Sequence, residues 1–201
     1  MTKEEEILKA AEDEFFKNGY DASSTAIIAS RAGVTHAMVN YYFRSKEKLF
    51  VRILDDHVHG LLQSLKPLMQ ADGNVATVAV NAACVIFDRM NEDRRFPYLI
   101  SDISRTHPDF LLRYKDNFVT VCRESLEKHA QRLEKAIAEG LVRECTMHDI
   151  YHSVLTLSTA PFFSLPILEN VAGLSPERID DWIQSCKEEM IKMLRARYSR
   201  L

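Results

Sequence analysis

The stretch from Ser23 to Lys46 constrains the fold more than any other part of the chain. It opens with three hydroxyl residues that can cap a helix, and apolar residues follow at the spacing of one helical face. Gly33 supplies the left-handed backbone conformation that lets a chain leave a helix, and Thr35 can cap the next one. The pattern therefore predicts two short helices joined by a tight turn, the second running from His36 to Phe43.

The second of these helices has two different faces. Val39 and Phe43 are four residues apart and point to one side, with Met38 beside them, so we assign them to the core. The opposite face carries His36, Ala37, Asn40, Tyr41 and Arg44. A capped helix, a glycine turn and a second short helix with a polar outer face is the arrangement of a DNA-reading helix-turn-helix.

The distribution of charge supports this interpretation locally. The whole chain is slightly acidic, with a formal net charge of -3. Residues 31–52 nevertheless carry five basic side chains and one acidic side chain, Glu47. A basic patch on a mildly acidic body can meet DNA phosphates without binding every polyanion.

Five short segments occur at fixed gaps over residues 19–50: Gly19–Ser24, Ile28–Ala29, Ala32–Thr35, Tyr42–Phe43 and Lys46–Phe50. Together they resemble the N-terminal domain of TetR-type transcriptional repressors. The resemblance covers about the first quarter of the chain, and the remainder is similar to the family only in length and helical character.

Three departures from the family pattern involve four positions. His36 and Ala37 stand where the family commonly has Lys-Gly, Asn40 replaces a common Tyr, and Ile27 replaces an acidic residue. The first two departures bear on the operator sequence rather than on DNA binding itself.

The resemblance implies a set of DNA contacts. The matching positions are Thr25, Thr35, His36, Ala37, Asn40, Tyr41, Tyr42 and Lys46. Hydroxyls near helix N-termini, tyrosine hydroxyls and a lysine suit phosphate oxygens. His36 and Asn40 are the expected base readers, because an Asn amide can pair with adenine and His can donate to guanine.

The rest of the composition favours an all-α fold. The chain has 201 residues, 46% of them hydrophobic, with only six Gly and six Pro. We expect an N-terminal three-helix domain over residues 1–46 and a larger helical domain over residues 47–201 (about nine helices). Helical periods predict these further segments: Glu4–Asn18, Lys46–Met69, Val75–Met90, Phe96–Arg105, Asp109–Gly140, His148–Val171 (bent or broken by Pro161 and Pro166) and a last helix opened by Ser175.

The larger domain is expected to bind a small hydrophobic effector and to form a homodimer on a pseudo-palindromic double-stranded DNA operator, as the resemblance implies. Candidate pocket residues are Phe87, Asn91, Tyr98, Phe118, Cys122, Tyr151 and Phe162. Candidate interface residues in the last two helices are Phe163, Leu165, Trp182, Ile183, Met190 and Met193. Each could equally fill the core. The fourth helix connects the two domains, so we hypothesise that it transmits effector binding to the DNA-reading helices.

Other classes of function have weaker support. A helical DNA-binding dimer controlled by a partner protein instead of a ligand remains open. Cys145, His148 and His152 share a helical spacing that suits a metal, but a second ligand pair is missing. The sequence has no phosphate-binding loop, nucleophile elbow or zinc-helix motif, so we expect neither an enzyme nor a cofactor. We expect a cytoplasmic protein with reduced thiols and no membrane span.

Overall fold

The computed structural model describes residues 2–70 and 73–199, including all their side chains except those of Met69 and residues 117–126. The predicted all-α class is confirmed, since these residues form ten helices and no strand. The helices are α1 (Lys3–Ala22), α2 (Thr25–Arg31), α3 (His36–Phe43), α4 (Lys46–Gln70), α5 (Val75–Glu92), α6 (Phe96–Thr106), α7 (Pro108–Leu112), α8 (Lys115–Ala138), α9 (Met147–Asn170) and α10 (Pro176–Tyr198).

Two predicted segments differ from the structure. The single helix expected over Asp109–Gly140 was wrong, because α7 ends at Leu112 and α8 begins at Lys115. The predicted break at Pro161 or Pro166 is absent, because α9 continues through both residues, whereas the alternative of a bend stays a prediction. One face of α9 is buried along its length, and this packing holds the helix where proline removes backbone donors.

The first compact unit, unit 1, comprises residues 1–60 and 95–113. It contains α1–α3, the first part of α4, and α6 and α7. Four rings from three of its helices form the centre: Phe15, Tyr20, Phe50 and Phe110. The Tyr20 ring centroid lies 4.8 Å from that of Phe50 and 4.9 Å from that of Phe110. Burial raises the pKa of the Tyr20 hydroxyl, and Glu47 adds to the shift. Helices α4 and α7, which are distant from α1 in sequence, therefore complete the core on the buried side of α1.

The second compact unit, unit 2, comprises residues 61–94 and 114–201. It contains the remainder of α4 together with α5, α8, α9 and α10, and α5 packs against α9 and α10. The rings of Phe87 and Phe162 meet in its core with centroids 5.0 Å apart. The buried hydroxyl of Tyr198 donates a 2.8 Å hydrogen bond to the Asp149 carbonyl, which fixes the end of α10 on the start of α9. The expected functional boundary at residue 46 stays a prediction.

In the described ranges, no helix combines the length and the apolar character needed to cross a lipid bilayer.

Candidate nucleic-acid interface and ligand cavity

Helices α2 and α3 form as the local sequence predicts. The Ser24 hydroxyl accepts from the Ile27 N–H and caps α2, and the Thr35 hydroxyl accepts from the Met38 N–H and caps α3. Gly33 lies between them with φ 63°, a conformation that costs glycine little. The Val34 N–H bonds to the Ala29 carbonyl at 3.0 Å and closes the turn. The backbone therefore fixes the direction of α3 relative to α2.

Helix α3 buries one face and exposes the other. Val39 is 1% exposed and Phe43 is 7% exposed, so both belong to the core of unit 1. The exposed set contains most of the expected DNA contacts: Thr35, His36, Ala37, Asn40, Tyr41 and Tyr42. Tyr41 is 72% exposed, so its hydroxyl is accessible from solvent. The exposed face of α3 thus presents an amide and an imidazole group together with hydroxyl groups.

Thr25 and His36 contact each other directly. The Thr25 hydroxyl and His36 Nε2 share a hydrogen bond of 2.8 Å. Thr25 is the first residue of α2 and His36 is the first residue of α3, so the bond joins the starts of the two helices. It restricts the imidazole to a narrow range of orientations on the exposed surface.

Lys46 lies differently from the expected phosphate contact. Its Nζ donates to the Ser23 carbonyl at 3.0 Å and to the Asp21 carbonyl at 3.4 Å. It also lies 4.3 Å from the centroid of the Tyr20 ring. These contacts give Lys46 a structural role at the junction of α1, α2 and α4. A role on DNA stays a prediction for this residue.

A buried ion pair joins α1 to α2. The Glu14 side chain is 1% exposed, and its Oε2 lies 3.0 Å from Nη1 of Arg31. Neither carboxylate oxygen has a hydrogen bond of good geometry, so the contact depends mainly on charge attraction. The Arg31 side chain is 41% exposed, which leaves one end of the pair open to water.

This geometry coincides with a family match. Residues 7–53, which include all of α2 and α3, match the model of the bacterial regulatory proteins of the tetR family. The chain carries the DNA-binding domain of a TetR-type transcriptional regulator. The matched region holds every expected DNA contact.

Relatives extend over most of the regulator. It is 28% identical over 182 residues to the uncharacterized HTH-type transcriptional regulator YdgC of Bacillus subtilis, covering 87% of each chain. The structure of a TetR-like transcriptional regulator from Rhodococcus sp. RHA1 superposes with a TM-score of 0.56 at 18% identity, covering 92% of this chain and 93% of that one. The SmeT–triclosan complex superposes with a TM-score of 0.58 at 21% identity, covering 100% and 93%. These two likenesses show the fold.

Unit 2 of the regulator contains an apolar cavity of about 140 Å³. Helices α4, α5, α8 and α9 line it, and its residues are Leu62, Leu65, Leu68, Val75, Val78, Ala79, Ala82, Ile86, His129, Met147, Ile150, Tyr151, Val154 and Leu155. His129, which is 5% exposed, and Tyr151 supply side-chain polar groups in this lining. Sequence reasoning found Tyr151 but missed His129, because a lone histidine in an amphipathic helix has no distinguishing pattern.

Four of the other expected pocket residues do not line this cavity, namely Phe87, Asn91, Tyr98 and Phe162. Phe87 and Phe162 pack on each other in the core, where each is at most 1% exposed. Asn91 is exposed and accepts a hydrogen bond from Nε of Arg94. Tyr98 belongs to unit 1. The side chains of Phe118 and Cys122 lie outside the described residues.

The expected interface residues divide into two groups. Phe163 is 43% exposed and Met193 is 53% exposed, whereas Trp182 is half-buried. A correction concerns three others: Leu165, Ile183 and Met190 are at most 3% exposed, because they face the core of unit 2 within a single chain. The sequence missed exposed apolar residues on α9, namely Leu155, Ile167 and Val171.

The possible metal ligands do not form a site. Cys145 is partly exposed, and His148 and His152 are exposed at the start of α9. Within the described residues, no three His, Cys, Asp or Glu side chains are placed to hold a metal ion. The Asp149 carboxylate instead completes a capping box with Thr146, and these hydrogen bonds hold its pKa below its usual range.

Proposed function

We propose that this regulator is a repressor that binds a pseudo-palindromic operator as a homodimer and releases it when a small hydrophobic effector binds. The proposal rests on the exposed face of α3. Its candidate base-reading side chains, His36 and Asn40, lie on a helix whose direction is fixed by the Thr35 cap and the turn at Gly33. Repression by blocking access to a promoter requires no activity beyond tight operator binding. The other two parts of the proposal rest on unit 2.

Base reading is assigned to two residues of α3. The Asn40 amide can pair bidentately with an adenine in the major groove, and the His36 imidazole can donate to a guanine. Both are exposed on the same face, and the Thr25 hydroxyl holds the imidazole. Thr35 and Tyr41 at the edge of this face suit phosphate oxygens, which set the position of the helix in the groove.

Dimerisation is assigned to the exposed apolar stripe of α9. Phe163, Ile167 and Val171 are four residues apart, so each lies about 40° around the helix axis from the one before. Leu155 lies two turns earlier, and all four residues are between 43% and 80% exposed in the single chain. An exposed apolar strip at the end of α9 suits a second copy of the same helix around a two-fold axis. Two subunits would then present two α3 helices to successive major grooves.

The effector is assigned to the cavity in unit 2. A cavity of about 140 Å³ with an almost wholly apolar lining admits a compact apolar molecule about the size of benzene. His129 and Tyr151 can fix the orientation of a ligand that carries one polar group. Helix α4 follows α3 in the chain and supplies Leu62, Leu65 and Leu68 to the cavity, so it is a direct covalent connection between the cavity and the DNA-reading helices. For release, the effector must bind the DNA-incompetent conformation more tightly.

Three measurements test the three parts. Sedimentation should show a dimer for the wild-type chain and a monomer for Ile167→Glu, with Glu169→Gln as the exposed control on the same helix. Toluene should raise the melting temperature of the wild type but not of Ala82→Leu, which fills the cavity. A promoter-reporter assay should show lower expression with the regulator present. Increased expression would identify an activator instead.

A further inference from the structure

A second, chemically different concavity lies at the other side of α5. The start of α5 and the end of α10 border an open groove of about 930 Å³, within the range of small-molecule sites. The buried side chains of Ala76 and Val80 form its floor. Its polar rim consists of Thr77, Arg143, Lys192, Arg195 and Ser199. The groove shares no lining residue with the apolar cavity, so the two can be occupied independently.

The charge of the rim is positive and largely uncompensated. Lys192 pairs with Glu189 at 2.8 Å. Over the described part of the chain, neither Arg143 nor Arg195 has a carboxylate within ion-pair distance. Two arginines that have no counter-ion among residues 2–70 and 73–199 therefore line a groove with an apolar floor, in a chain whose net charge is -3. This combination attracts an anion locally while the body of the protein repels one.

Helix electrostatics account for only part of this arrangement. Arg195 lies in the last turn of α10, where the helix dipole favours a cation. Arg143 lies between α8 and α9, outside both helices, so no helix dipole accounts for its position. The Asn74 side chain already accepts from the N–H groups of Ala76 and Thr77. An anion in the groove would therefore be held by the guanidinium groups rather than by the start of α5.

We propose that the groove binds an amphipathic organic anion. Arg143 and Arg195 hold its phosphate or carboxylate head group through paired N–H donors, which a planar guanidinium presents in a fixed fork. The hydroxyls of Thr77 and Ser199 can donate to the remaining oxygens. A short apolar tail of the ligand covers Ala76 and Val80.

Isothermal titration of the full chain tests the proposal with defined probes. Octyl phosphate and octanoate carry the two head groups on the same tail, and octanol and octylammonium are the uncharged and cationic counterparts. The double variant Arg143→Gln/Arg195→Gln removes both charges from the rim. Arg178→Gln removes an equally exposed arginine from the first turn of α10, away from the groove. All substituted side chains are exposed, and circular dichroism should show unchanged folding.

The expected result is that one or both anions bind the wild type and Arg178→Gln with equal affinity. The double variant should bind at least about tenfold more weakly, the equivalent of one lost charge-assisted hydrogen bond. The stronger of the two anions identifies the head group. Equal binding of octanol, or equal loss in Arg178→Gln, would overturn the proposal, since the first indicates simple apolar partition and the second indicates non-specific attraction. Unchanged binding by the double variant would also overturn it.

Discussion

Removal of Arg31 should destabilise unit 1 far more than an exposed arginine normally would. Its partner Glu14 is 1% exposed in α1, and no other described donor forms a well-aligned hydrogen bond with that carboxylate. Breaking a buried pair by removing one partner costs roughly 3–5 kcal/mol. Because Arg31 itself is 41% exposed, water already screens the pair, and we expect about 2–3 kcal/mol for Arg31→Met.

The same reasoning predicts the opposite for the acidic partner. Glu14→Leu removes the buried charge and places an apolar side chain of similar size among α1 core residues. We expect this variant to be as stable as the wild type or up to about 2 kcal/mol more stable. In the double variant Glu14→Leu/Arg31→Met no charge remains to be stranded, so it should be as stable as Glu14→Leu alone. The coupling energy between the two positions should therefore equal the cost of Arg31→Met, about 2–3 kcal/mol.

Hydrogen exchange followed by mass spectrometry is the appropriate assay, because it reports on unit 1 by itself, whereas a single melting temperature averages over a chain with two compact units. Peptides from α2 should exchange about 30-fold faster in Arg31→Met than in the wild type, which corresponds to about 2 kcal/mol. The matched control is Arg178→Met in unit 2. If the double variant exchanges as fast as Arg31→Met alone, the stranded carboxylate is not the cause, and the reasoning is refuted.

Three further outcomes follow from single contacts. Thr25→Val should weaken operator binding several-fold, as measured by fluorescence anisotropy, because it removes the hydroxyl that bonds to His36. Thr25→Ser keeps a hydroxyl and should bind as the wild type does, and equal weakening by both variants would disprove the role of this contact. Asp149→Asn should reduce the loss of stability that acid causes. The pKa of Asp149 is lowered in the folded chain, so its carboxylate stabilises the fold at pH values above the unfolded pKa, and this stabilisation is lost as the pH falls through the folded pKa. Urea titrations at about pH 6 and about pH 3 measure this loss, and an equal loss in the wild type and the variant would contradict the prediction. Arg44→Gly should stabilise unit 1 by roughly 0.5–1 kcal/mol, because Arg44 has φ 65°; equal or lower stability in urea would count against the strain.

The DNA-reading region could be predicted from sequence because its determinants are local. The caps at Ser24 and Thr35, the glycine turn and the inward positions Val39 and Phe43 depend on neighbours within a few residues. The structure places each of them as the pattern predicted. Lys46 differed because its partners are the carbonyls of Asp21 and Ser23, more than twenty positions away in sequence.

The surfaces of unit 2 could not be predicted in the same way. Helix α9 is apolar on two faces, and a helical period does not say which face meets the core. The structure buries Phe162 and Leu165 and exposes Phe163 and Ile167. The apolar cavity of unit 2 likewise depends on how four helices leave space between them, which no single stretch of sequence encodes. His129 became a candidate only when its burial beside that space was known.

The most direct test of DNA reading by α3 is selection of bound genomic DNA fragments by the purified chain at moderate salt. Wild type and Asn91→Ala, which changes an exposed asparagine on α5, should enrich the same palindromic site. Asn40→Ala should lose that site or relax one position in each half-site, because the base-reading amide is gone. Enrichment of the identical site by Asn40→Ala, or no enrichment by the wild type, would contradict the assignment of α3 as the reading helix.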